Sequence, residues 1–98
     1  MRKKDFVSLL EIMDPEEYAT FKIGSKKLKA CLFSLSGDGN HILYLDDRSA
    51  TPIKYGKIIN LLYRAIDLPI NIIYNGELFE ILAFDRENNI IRLCYSNK

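Results

Sequence analysis

Apolar positions fall into eight short periodic segments along the chain. Phe6, Leu9, Leu10 and Met13 recur at helical spacing, so the pattern predicts an amphipathic helix over residues 3–13. Asp14-Pro15 stops it, because the residue before a proline is driven out of the α region. Alternation then predicts a strand over 18–23, with Ala19, Phe21 and Ile23 on one face. Gly24-Ser25-Lys26-Lys27 reads as a turn. Residues 28–35 are apolar on both faces, the signature of a strand buried on both sides. A glycine-rich loop over 36–40 leads to a third strand over 41–45.

The second half follows the same order. Asp46 to Ala50 is a polar connector, and Thr51-Pro52 reads as an N-cap and first helical position. Ile58, Ile59, Leu61, Leu62, Ala65 and Ile66 give an apolar face that runs to Asp67. Gly56 costs about 1 kcal/mol relative to alanine if it lies inside that helix. Strands are predicted over 70–74, 77–84 and 90–95. Asn75-Gly76 is placed as a type I′ hairpin turn, and residues 85–89 as a polar turn.

These elements predict an α+β fold of two αβββ units, residues 3–45 and 52–95, within a single domain 1–98. The sheet is expected to be mainly antiparallel, with two helices packed on it. The halves also match in pattern, which raises internal duplication. Leu9-Leu10 matches Leu61-Leu62, and Phe21-Lys22-Ile23 matches Asn71-Ile72-Ile73. Leu28 matches Leu78, and His41–Leu45 matches Asn89–Leu93. One unit alone is too small to close a core, so the two are expected to share one.

Composition narrows the function classes. The chain is 48% hydrophobic and 28% charged, which suits a folded domain rather than a disordered one. The formal net charge is +1, so any nucleic-acid role must rest on a local patch. Cys31 and Cys94 lie in apolar runs and are expected to be buried, reduced thiols. Neither a secretory leader nor an apolar run of membrane-spanning length is recognised. A soluble cytoplasmic setting away from membranes is therefore expected.

Candidate chemistry is sparse, and the expectation is a protein that is not an enzyme, with no cofactor and no metal. His41 is the only histidine, and it is expected to be solvated or capped at a strand start. The cysteines lack zinc spacing, and the Gly37-Asp38-Gly39-Asn40 loop lacks the further acids of a calcium site. An active site assembled across a dimer from His41 with Asp46 and Asp47 is the remaining catalytic reading.

Binding residues stand out more. Lys22, Lys26, Lys27 and Lys29 cluster around the first turn, either as solvated lysines that guard an edge or as contacts to phosphate or acidic partners. Six tyrosines include Tyr44 and Tyr74, placed opposite the presumed core face, where a rigid ring with a polar tip serves an interface. The leading expectation is an interaction module, a homodimer that binds itself or an unknown protein partner through a sheet edge or a tyrosine-bearing face. The alternative is a nucleic-acid-binding accessory protein that uses the Lys22–Lys29 hairpin.

The opening Lys4-Asp5-Phe6-Val7-Ser8-Leu9-Leu10-Glu11-Ile12-Met13-Asp14-Pro15 resembles the start of small phage and prophage proteins: amphipathic helix, Asp-Pro stop, then strands. The resemblance spans residues 3–45. The chain departs from it at Glu16-Glu17-Tyr18, where a small residue usually leads into a valine strand, and in carrying a second unit. It implies a mobile-element origin and no activity. The Ile, Lys and Asn usage fits an AT-rich genome.

Overall fold

The computed structural model describes residues 1–35, 39–46, 51–88 and 90–97. The expected loop at 36–40, the connector at 46–50 and the turn at 85–89 lie partly outside the described residues, and Asp47 wholly so. The element order is α1 (Lys3–Leu10), β1 (Thr20–Ile23), β2 (Lys26–Ser34), β3 (His41–Asp46), α2 (Tyr55–Tyr63), β4 (Ile70–Tyr74), β5 (Glu77–Glu87) and β6 (Ile90–Asn97).

The fold is a closed six-stranded barrel, not the α+β sheet with helices packed on it that the pattern led us to expect. Each half is an antiparallel meander, β1-β2-β3 and β4-β5-β6. Two parallel pairings join them, β3 to β4 and β6 to β1. These seams use both outer strands of each meander, so the sheet curls shut and becomes its own second layer. Alternate residues Phe21, Leu28, Leu43, Ile70, Ile72, Ile81 and Ile91 point inward and are fully buried. The helices add to this same core rather than forming a layer. Phe6 of α1 stacks on Phe21 at 6.1 Å between ring centroids, and Tyr55 of α2 meets Phe21 edge-on at 6.3 Å.

Each helix is entered through a short extended segment that belongs to the opposite half. The Ile70 N–H donates to the Met1 carbonyl at 2.8 Å, and the Ala19 N–H donates to that of Ile53 at 2.8 Å. The Lys3 N–H reaches Leu68 at 2.9 Å, and the Tyr55 N–H reaches Glu17 at 3.0 Å. The Met1 ammonium donates to Ile81 at 2.9 Å, and the Ile53 N–H donates to Ala30 at 2.9 Å. An ion pair recurs too, Arg2 with Asp67 at 3.4 Å and Lys54 with Glu16 at 3.3 Å. The Lys4 backbone N–H, ahead of the Arg2 guanidinium, holds the Asp67 carboxyl below its usual range.

These bonds move several boundaries. Ile53 spends its backbone on the barrel, so α2 starts at Tyr55 and not at Thr51-Pro52. The first helix ends at Leu10, though Met13 is still buried. The helices correspond as expected, but the first two strands of each half correspond one residue away from the expected match and the third strands two. The pairs Phe21–Leu28 and Ile72–Phe79 hold the same place beside their turns, so Leu28 answers to Phe79 rather than Leu78. Bulges at Ala30/Leu32 and Ile81/Ala83 interrupt the alternation in both halves. The first leaves Leu32 54% exposed, so β2 is not buried on both faces. The Asn75-Gly76 turn has φ of 54° and 78°, as a type I′ turn requires.

Gly56 sits in the first turn of α2 with its N–H on the Pro15 carbonyl at 3.0 Å. A Cβ there would lie 3.0 Å from both the Cβ and the carbonyl oxygen of Pro15. Helix propensity alone predicts that Gly56→Ala stabilises by about 1 kcal/mol. The carbonyl is fixed by its own hydrogen bond, so overpacking of about 1–3 kcal/mol outweighs that gain. Chemical denaturation is expected to show Gly56→Ala less stable than the parent, and a rise in midpoint would refute the argument.

Candidate functional site

The structure divides the sequence-derived binding residues between two places. Lys26, at the start of β2, donates to the Tyr74 hydroxyl at 3.2 Å and lies 5.7 Å from its ring centroid. Tyr44 and Tyr74 join Lys26, Cys31 and Asp46 around one hollow of 430 Å³. Lys22, Lys27 and Lys29 are elsewhere, on the outward positions of β1 and β2, with Lys22 opposite Lys27 and Lys29 opposite Thr20.

The residues weighed for catalysis do not converge. His41 is fully buried rather than solvated, and its ring packs on Phe33 at 6.2 Å. Its Nε2 lies 2.9 Å from the Ile66 carbonyl, which can only accept, so Nε2 carries the proton. Asp46 ends the same strand five residues later, on the opposite face and about 17 Å away at a strand's rise. The cysteines also differ from expectation, since Cys31 is half-buried and Cys94 exposed, both free. Burial pushes the Cys31 thiol up, and the nearby Asp46 carboxylate adds to that.

A third place was not marked by sequence patterning. β5 pairs with β4 only from Glu77 to Glu80, and the Met1 ammonium covers Ile81. The strand then runs on to Glu87, paired on one side by β6. Register shows which groups point away. Glu87 and Ile90 are the last pair of the ladder, with only two residues between them in sequence, so they exchange hydrogen bonds, as do Asp85–Arg92 and Ala83–Cys94 by alternation. The backbone groups of Phe84 and Arg86 therefore face outward. Among the described residues they have no backbone partner on that side, and the Arg86 N–H is satisfied by the Asp85 carboxylate at 2.8 Å.

A groove of 440 Å³ runs beside this edge. Leu82, Ala83 and Phe84 form one wall, and Met1, Asp5 and Ser8 the other. Leu82 is 60% exposed and Phe84 36%, so the wall is apolar and open. No periodic signal marked this edge, because the strand continues past Phe84 through Asp85-Arg86-Glu87, three charged residues that looked like a polar turn.

Compared with family models, curated proteins and solved structures, the chain matches none. No helix among the described residues is long and apolar enough to cross a membrane.

Proposed function

We propose that the protein is a non-catalytic interaction module that receives an extended segment of a partner protein along the outer edge of β5. The carrying observation is the stretch from Leu82 to Glu87, which offers strand backbone to solvent beside an apolar groove. Strand addition draws affinity from main-chain hydrogen bonds and specificity from pockets for alternate side chains. Here the groove takes an apolar side chain against Leu82 and Phe84. Asp5 on the opposite wall favours a basic residue next to it.

One observation supports the non-catalytic reading: the single histidine is packed inside the core with its Nε2 on the Ile66 carbonyl. Free cysteines support a reducing, cytoplasmic setting, and the phage-like opening supports a mobile-element origin.

A designed peptide of alternating valine and lysine is the direct probe. In amide-resolved NMR titration it is expected to shift Leu82, Phe84 and Arg86 and to slow hydrogen exchange at Phe84. Phe84→Pro removes an outward donor without touching the β6 ladder and also removes the aromatic wall of the groove. It is expected to weaken binding at least about tenfold, the equivalent of one charge-free main-chain bond plus the lost apolar contact. Shifts confined to other surfaces would end the proposal. A doubled mass in light scattering that Phe84→Pro abolishes would identify the partner as a second copy.

A further inference from the structure

We propose that a separate surface, running from α2 across Tyr18 to β2, β1 and β6, binds single-stranded nucleic acid. It starts in a groove of 740 Å³ between α2 and the Pro15–Tyr18 stretch, where Lys54, Lys57 and Arg64 line an apolar floor that includes Ile59. Glu16 pairs with Lys54, whereas Lys57 and Arg64 have no ion-pair partner among the described residues. Tyr18 stands at the rim, 49% exposed. The Lys29 and Lys54 ammoniums lie 5.8 and 5.9 Å from its ring centroid.

The charge continues from Lys29 onto the barrel wall. Lys22 on β1 is directly opposite both Lys27 on β2 and Arg92 on β6. Three cations thus stand abreast on adjacent strands, about 5 Å from one to the next. Like charges placed opposite each other destabilise a sheet. Asp85 at 3.1 Å and Glu87 at 3.8 Å offset Arg92. No carboxylate lies within ion-pair distance of Lys22 or Lys27 among the described residues. A row of phosphates relieves this repulsion.

Tyr18 selects among polyanions. Lys29 and Lys54 both lie over the exposed Tyr18 ring, so a base stacks there when a flexible lysine swings off the ring onto the neighbouring phosphate, and the apolar floor beside it suits a second base. A duplex keeps its bases inside, and the Asp and Glu side chains of an acidic peptide carry no flat ring. The chain's net charge of +1 does not oppose this reading, because the local track sets the contact.

The test is fluorescence anisotropy on the full chain with a labelled oligothymidylate of about 20 nucleotides, between about 50 and 200 mM salt. Saturable binding that weakens with salt is expected. Lys22→Ala with Lys27→Ala should flatten the log–log salt slope by about 1.4, at 0.7 per phosphate contact. Tyr18→Ala should weaken binding about tenfold with the slope unchanged, and Tyr18→Phe should keep it. Tyr18→Leu gives the same reading should the alanine variant fail to fold. No binding at the lower salt, or a slope that ignores Lys22 and Lys27, overturns the proposal. So does competition by polyglutamate equal to that of unlabelled oligothymidylate, which would assign the track to an acidic protein.

Discussion

Phe21→Ala is expected to lower the unfolding free energy by about 3–5 kcal/mol, the range for deleting a fully buried phenylalanine. Phe21 faces into the barrel with no exposed surface and touches both helices through Phe6 and Tyr55. Its loss opens a cavity where α1, α2 and β1 meet, and no one element can collapse into it without leaving another. A domain of this size holds about 5–15 kcal/mol in total. The variant should therefore melt about 15–30 °C lower in a calorimetric scan. Leu32→Ala is the control, since Leu32 is 54% exposed and should change stability by no more than about 0.5 kcal/mol. Equal effects from the two would mean that the interior is not organised around Phe21.

Tyr55→Phe is expected to cost about 2–3 kcal/mol although it removes one oxygen atom. The Tyr55 hydroxyl accepts from the Thr20 N–H at 3.0 Å and donates to the Thr20 carbonyl at 3.0 Å. It stands in for a neighbouring strand at the start of β1, and its removal leaves two backbone groups unpaired beside the core. The same phenol makes stability depend on alkali. Burial pushes its pKa up, more than the Thr20 hydrogen bond lowers it, and Glu17 adds a smaller upward push. The folded state thus prefers the neutral phenol. That contribution is complete below the ordinary tyrosine range near pH 10 and is lost as pH rises from there through the raised folded-state value. Denaturant midpoints measured from about pH 8 to pH 11 should fall more steeply for the parent than for Tyr55→Phe. Tyr63, raised chiefly by its hydrogen bond to the Glu11 carboxylate, is present in both proteins and does not affect the comparison.

Local pattern carried the six strands, the two helices and the Asn75-Gly76 turn, because each leaves a periodic or dihedral demand within a few residues. Closure left no such trace. Phe21 pairs with Ile91 across most of the chain, and nothing near either residue announces a parallel neighbour. The bulges at Ala30/Leu32 and Ile81/Ala83 each add a residue that shifts the inward set, which is why Leu32 looked buried. In the candidate sites, the lysine cluster was visible by composition. Its partition, with Lys26 turned to Tyr74 and Lys22 and Lys27 left on the wall, follows from register alone. The β5 edge was hidden because Asp85-Arg86-Glu87 has the chemistry of a turn and the geometry of a strand.

The ring of strands also brings Met1 close to the last strand. Met1 hydrogen-bonds one side of β5 at Ile81, while Tyr95 pairs with that residue from the other side. They are thus separated by about two strand spacings, ~10 Å. A linker of about five residues spans that gap with slack. Joining the ends and opening the chain between Asp46 and Thr51 would give a circular permutant in which β4 to β6 are synthesised before β1 to β3. It is expected to reach the same barrel with a melting temperature close to the parent's by circular dichroism. The order of translation would then be a choice the architecture leaves open.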